Sequence, residues 1–320
     1  MDADPIADLA AFATTTTSPS LEPTDQDAFA DPVFGRALRS VRDATPDARS
    51  AAIARLVPAL DAPDAYQAAR VALICGTIVE WGADPAIAGP AVLARLHRTL
   101  ARSPSGAGDP RGQRAVRFLG LAAMAMLTRD VGLRRSARGM SGFAEALIAD
   151  PSAEASFVHQ VLGLVDDLEL TVLHPDRREG VRVSLEAVAT VFHLLTLVQD
   201  LRPDWCGDDP PDPEVTAIAR GDVPYTHPVT DHARFHLSDH TGLEPNLGAT
   251  LWGEMSPAEI PAIHGERVVL VGKVPFGSRS WDGGFFANFH DALRSRLRVL
   301  DVLDRDVVNA KLRALRDPPG

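Results

Sequence analysis

From residue 33 to residue 201, apolar side chains recur at the three- and four-residue spacing of a helix. No other feature limits the possible folds of this chain so strongly. The segments also carry helix punctuation. PDAYQAARVALICGTIVEWGA has Pro63 at its start and Gly82 near its end, and DPAIAGPAVLARLHRTLARS opens on Asp-Pro. Proline in a first turn gives up an N–H that has no partner there, and glycine accepts the backbone that ends a helix. After the loop SPSGAGDPRG comes GQRAVRFLGLAAMAMLTRD. SAEASFVHQVLGLVDDLELTVLH and REGVRVSLEAVATVFHLLTLVQDL extend the pattern as its longest pair. The expectation is a mainly α fold over 33–201, a multi-helix bundle or an α-solenoid-like array. Turn chemistry recurs in GADPA, IADPS and LHPDR, without a repeat of fixed period.

The periodicity is absent at both ends of this stretch. Residues 1–32 are rich in Thr, Ser, Pro and Asp and read as a disordered tail. Residues 202–215, RPDWCGDDPPDPEV, are too dense in proline for regular helix and read as a linker. The remainder, 216–320, reads as a small α+β lobe. ERVVLVGKV is a β-branched run between Gly265 and Pro275, the pattern of a buried strand. FFANFHDALRSRL and VLDRDVVNAKLRALRD are expected to close the chain as helices. Ser256, Pro257 and Glu259 have the spacing of a capping box.

Composition narrows the function classes. A hydrophobic share of 45% supports a real core. The net charge of −11 argues against nucleic acid as a partner, because the densest basic run, Arg134, Arg135 and Arg138, is short. No apolar run is long enough for a membrane span, and acids stand at the N-terminus where a signal peptide carries bases, so a cytoplasmic location is expected. Cys75 and Cys206 lack the spacing of a thiolate metal site. Lys273 and Lys311 are the only lysines, an arginine bias that fits a GC-rich bacterial coding sequence.

Candidate chemistry concentrates in the C-terminal lobe. THPVTDHARFHLSDH carries His227, His232, His236 and His240. On either a helix or a strand, 232, 236 and 240 share a face. Imidazole suits a divalent transition metal, and a carboxylate can complete such a site. His232, His236, His240 and Asp239 are therefore candidate metal ligands. Arg234 offers the alternative of an anion contact, and a solvated face is the third reading. VGKVPFGSRSWDGG lacks the spacing of a phosphate-cradling P-loop. Lys273, Arg279, Ser280, Trp281 and Asp282 still follow a strand, where ligand contacts concentrate.

Two function classes follow. The first is an interaction or regulatory scaffold, whose partner is another protein or a small anionic ligand. The second is an enzyme with a His/Asp or anion-binding site in the C-terminal lobe, suited to metal-assisted hydrolysis or group transfer. The enzyme reading requires the histidine face and the 272–282 loop to converge on one pocket.

Overall fold

In the computed structural model, residues 4–16, 31–102, 109–244, 246–273 and 279–316 are described. The chain is mainly helical, with its strands confined to the C-terminal part. It divides into two compact units, residues 1–162 and 163–320. Among the described residues, no helix is long and apolar enough to cross a membrane.

The first unit is all helix: α1 (Pro5–Thr15), α2 (Pro32–Val41), α3 (Pro46–Leu56), α4 (Ala65–Glu80), α5 (Gly89–Arg102), α6 (Pro110–Leu127), α7 (Val131–Arg138), α8 (Phe143–Ala149) and α9 (Ala153–Leu162). Four of these start on one device, a capping side chain followed by proline: Asp4-Pro5, Asp31-Pro32, Thr45-Pro46 and Asp109-Pro110. The cap oxygen takes a first-turn N–H, as Asp31 Oδ1 does from Val33 at 3.0 Å. The tail expected over 1–32 is in part helical: α1 buries Ile6, Leu9 and Ala13. The apolar spacing of PIADLAAFA outweighs the polar composition around it. Residues 17–30 lie outside the described residues. Helices α4 and α6 form the centre of the unit. A Cβ at Gly76 would stand 2.9 Å from the Ala122 Cα, so glycine is what lets the two backbones approach.

The second unit contains β1 (Glu169–His174), β2 (Glu179–Glu186), α10 (Val191–Leu201), α11 (Pro213–Arg220), β3 (Thr230–His232), β4 (His236–Ser238), β5 (Ala262–Ile263), β6 (Glu266–Gly272), β7 (Ser280–Asp282), β8 (Arg296–Leu303) and α12 (Arg305–Arg316). The main sheet has the order β4-β6-β1-β2-β8, with β5 on β6. β1 pairs antiparallel with β2 and parallel with β6. β3 and β7 form a separate two-stranded ribbon. One face of the sheet, through Val181, Val183 and Leu185, packs into a core with α10, Trp205, Phe235 and Trp281. The other face, through Leu173, Val268 and Leu270, is covered by Val308 and Leu312 of α12.

The boundaries differ from the sequence reading in three places. The helical domain expected to run to 201 ends at Leu162, and the two runs taken as its longest helices each hold a strand. LTVL and VRVSL are β-branched runs joined by a tight turn with Arg178 at φ 58°, and hairpin pairing prevails over the helical spacing they also satisfy. Residues 202–215 are not a linker between units. Pro203–Cys206 is a 3₁₀ turn that buries Trp205 and Cys206, and Asp212-Pro213 starts α11. Finally, FFANFHDALRSRL (285–297), expected to be a helix, forms turns that lead into β8, whereas the closing helix expected over 302–317 is α12. ERVVLVG is strand β6, and the Ser256/Glu259 capping box is present.

Candidate functional site

The histidine segment and the 272–282 loop lie side by side, with His232 opposite Ser280 and His236 opposite Gly272. Their side chains form no metal-ligand cluster: among the described residues, no group of three His, Cys, Asp or Glu side chains is placed to hold a metal ion. The shared-face argument fails because 232–240 is not one element: β3 ends at His232, β4 starts at His236, and the two belong to different sheets. His232 is exposed and holds Asp209 Oδ2 at 2.7 Å. His236 is buried, and burial, with the nearby Arg279 charge, pushes its pKa down to about 4. Asp239 turns its carboxylate to Thr241 N (2.8 Å) and Oγ1 (2.6 Å), closing a local turn. His240 has a buried Nδ1 without a hydrogen-bond partner among the described residues.

Most of the expected anion contacts have structural work. The Arg234 side chain is 4% exposed. It pairs with Asp231 and donates to the carbonyls of His232 (2.7 Å) and Pro210 (2.8 Å). Trp281 is a core residue stacked on Phe192, and its indole N–H donates to Thr196 Oγ1 at 3.0 Å. Asp282 accepts from the Tyr225 hydroxyl at 2.6 Å and from Gly284 N at 2.7 Å. Ser280 and Lys273 are exposed, and residues 274–278 of the same loop lie outside the described residues. Arg279 is the partly buried cation of this group that makes no carboxylate ion pair among the described residues. Its guanidinium stands 4.8 Å from the Phe192 ring and 5.5 Å from the Trp252 ring, and it donates to Leu251 O at 3.3 Å. Burial lowers its pKa, and Glu254 opposes this from a longer range.

A better-formed site lies in the helical unit, where the sequence reading placed none. A cavity of about 280 Å³ opens between the N-terminal ends of α4 and α6 and the C-terminal half of α5. Arg95, Arg98 and Arg102 line it from α5, at the i, i+3, i+7 spacing that stacks side chains on one helix face. Arg111 lines it from α6.

The four guanidiniums are not equivalent. Arg98 Nη2 pairs with Asp61 at 2.7 Å, and Arg111 pairs with Asp64. Arg102 is exposed at the helix end, where a cation complements the helix dipole. Arg95 lies two turns in and is 7% exposed. Among the described residues its side chain has no hydrogen-bond or ion-pair partner. Two other arginines in this unit are as deeply buried, and both donate: Arg70 to Gln67 Oε1 at 3.3 Å and Arg134 to Leu127 O at 2.7 Å. Burial holds the Arg95 pKa below its ordinary value. Arg98 and Arg102 push the same way, and Asp61 and Asp64 oppose them.

The lining carboxylates are already engaged. Asp64 caps α4, accepting from Tyr66 N at 2.9 Å. Asp109 caps α6, accepting from Gly112 N at 3.0 Å. With Asp61, which pairs with Arg98 from beside the lining, three carboxylates stand against four arginines, so the site carries a surplus of one positive charge. No family model, curated protein or solved structure matches this chain. The arginine spacing is visible in VLARLHRTLAR, but the burial that makes Arg95 distinctive depends on the ends of α4 and α6.

Proposed function

We propose that this protein is a cytoplasmic, ligand-responsive regulatory protein whose helical unit binds a small dianion, a phosphate or a phosphate monoester. One observation carries the reading: Arg95, a residue only 7% exposed, lines a cavity and has no hydrogen-bond or ion-pair partner among the described residues. Arginine does not shed its proton inside proteins, so burial leaves it charged. An unpaired buried charge is costly, and a phosphate-like anion matches both the fork of Arg95 donors and the net positive charge of the site. At about 280 Å³ the cavity sits at the low end of small-molecule sites, which suits a compact ligand. In this reading the helical unit is a bundle built around α4 and α6 rather than a stack of repeats.

The test is thermal unfolding of the full chain in inorganic phosphate and in chloride at matched ionic strength, beside Arg95→Leu. Phosphate also stabilises proteins by exclusion from their surface, so the variant is the control that matters. The expected result is a phosphate-dependent rise in Tm that Arg95→Leu lacks. Equal responses in the two proteins would sink the proposal.

A second reading rests on Arg279. A cation between two rings, with buried His236 held neutral at physiological pH, would receive a carboxylate or phosphate group at the surface. Quenching of Trp252 fluorescence by an anion, lost in Arg279→Leu, is its signature.

A further inference from the structure

In the second unit, β8 ends the main sheet, and no strand lies on its outer side among the described residues. Natural edge strands are commonly short, charged or covered. β8 is long, and although Arg296, Arg298 and Asp301 are charged, RLRVLDVL is exposed at six of its eight positions, three of them apolar. Val299 is 43% exposed, Leu300 38% and Val302 67%.

The pairing with β2 shows why these side chains are apolar. Val183 faces Val299 and Val181 faces Val302, and the register shift at Arg182/Val183 lets Leu300 bulge between them. Val181 and Val183 are buried in the sheet's core face. Val299 and Val302 therefore continue that apolar face outward by one strand, beyond the side chains that cover it. The layer stops at β2 while the hydrophobic pattern runs on.

The charges on this edge say what fits it. The strand is basic at its start, with Arg296 and Arg298, and acidic at its end, with Asp301 and Asp304. All four are exposed. The two arginines share one carboxylate, Glu186, at 3.3 and 3.5 Å, which leaves positive charge unmatched. Antiparallel pairing with an identical strand, in the registers centred near Val299 and Leu300, places the basic start of each copy against the acidic end of the other. A parallel pairing would set like charges side by side.

We infer that β8 is a self-association edge: a second copy of this chain adds its own β8 antiparallel, extends the sheet across a two-fold axis and covers Val299, Leu300 and Val302. The inference does not depend on the arginine cavity.

The test is sedimentation of the full chain over a range of concentrations, beside three variants checked for native circular dichroism. Wild type is expected to form a concentration-dependent dimer. Val302→Lys places a charge on the apolar edge and is expected to be monomeric. Arg296→Glu/Arg298→Glu makes the edge acidic at both ends, and Asp301→Lys/Asp304→Lys makes it basic at both ends. Each is expected to be monomeric alone, and an equal mixture is expected to recover the dimer. That recovery distinguishes edge pairing from unfolding, because a misfolded variant is not rescued by its complement. A wild-type monomer at every concentration overturns the inference and leaves the edge for a strand of another protein. A dimer unchanged by either charge variant overturns it as well.

Discussion

Arg95 in the helical unit and Arg234 in the α+β unit are both buried, yet they solve burial in opposite ways. Arg234 spends its donors on Asp231 and on the carbonyls of His232 and Pro210. It ties the chain after α10 to the β3 ribbon. Arg95 has no such partner among the described residues and faces open volume. A buried charge with a complete local shell is a structural part. A buried charge without one is a demand for something from outside the fold. In the sequence Arg95 belongs to a stripe with Arg98 and Arg102, whereas Arg234 has Asp231 three residues before it.

The largest expected effect comes from removing each guanidinium in turn. Arg234→Leu leaves Asp231, whose side chain is 2% exposed, without its counter-charge. Breaking a buried pair from one side costs about 3–5 kcal/mol. Arg95→Leu removes an uncompensated charge and is expected to leave the ligand-free protein as stable or more stable. Urea unfolding of both variants checks the contrast. A comparable loss in both would show that Arg95 has a structural partner after all. Asp231→Asn with Arg234→Leu is expected to recover part of the loss.

His193 shows a third solution, which arginine lacks: it gives up its proton. The ring is fully buried in α10, with Nε2–H donating to Ala219 O at 2.8 Å and Nδ1 accepting from Ala189 N at 3.2 Å. Burial pushes its pKa down to about 4. The unfolded chain binds this proton near pH 6.5, whereas the folded chain binds it only near pH 4. Between these values the unfolded state holds more protons, so stability falls as pH falls through the window. The lowered pKa corresponds to about 3 kcal/mol. His236, also pushed down to about 4, acts in the same direction. His193→Gln is expected to flatten the dependence of the urea midpoint on pH between 4 and 6.5, and an unchanged slope would assign it to other groups.

The elements that sequence reading reaches are those fixed by local chemistry. Helix starts at Asp-Pro and the Ser256/Glu259 box follow from a few adjacent residues, and the β6 run is apolar and β-branched throughout. β1, β2 and β8 are missed because their apolar residues satisfy helical and strand spacing alike, and only pairing across the sheet decides between them. The histidine cluster misleads for a related reason. Its spacing presumes one continuous element, and the chain turns at Ala233–Phe235. The arginine site is illegible because its parts come from three helices whose contacts are long-range.

Ligand addition tests the demand of Arg95 directly. At a concentration of about 100 Kd, a ligand that binds only the folded state stabilises it by about 2.7 kcal/mol. Phosphate is expected to give wild type this gain above the nonspecific effect measured in Arg95→Leu. Arg234→Leu, if it remains folded, is expected to keep the phosphate gain, because its loss lies in the other unit. A gain that vanishes in Arg234→Leu and persists in Arg95→Leu would reverse the roles assigned to the two residues.

Arg279 lies between these extremes, so it sets the smallest expected effect and the finest test of the comparison. It is half-buried, has two rings and one carbonyl for company, and makes no carboxylate ion pair among the described residues. Cation–ring contacts at partly exposed sites contribute about 0.5–1 kcal/mol, and the desolvation of the guanidinium offsets part of that. Arg279→Leu is therefore expected to change stability by less than about 1 kcal/mol. Its clearer readout is His236. Burial is the larger cause of the depressed pKa and the Arg279 charge the smaller, so the variant's His236 is expected to titrate higher while remaining below an ordinary histidine. An NMR titration of the His236 ring distinguishes the causes. A full return to ordinary titration would make the charge, rather than burial, the dominant influence on the ring, and would mark Arg279 as an electrostatic centre of the C-terminal unit.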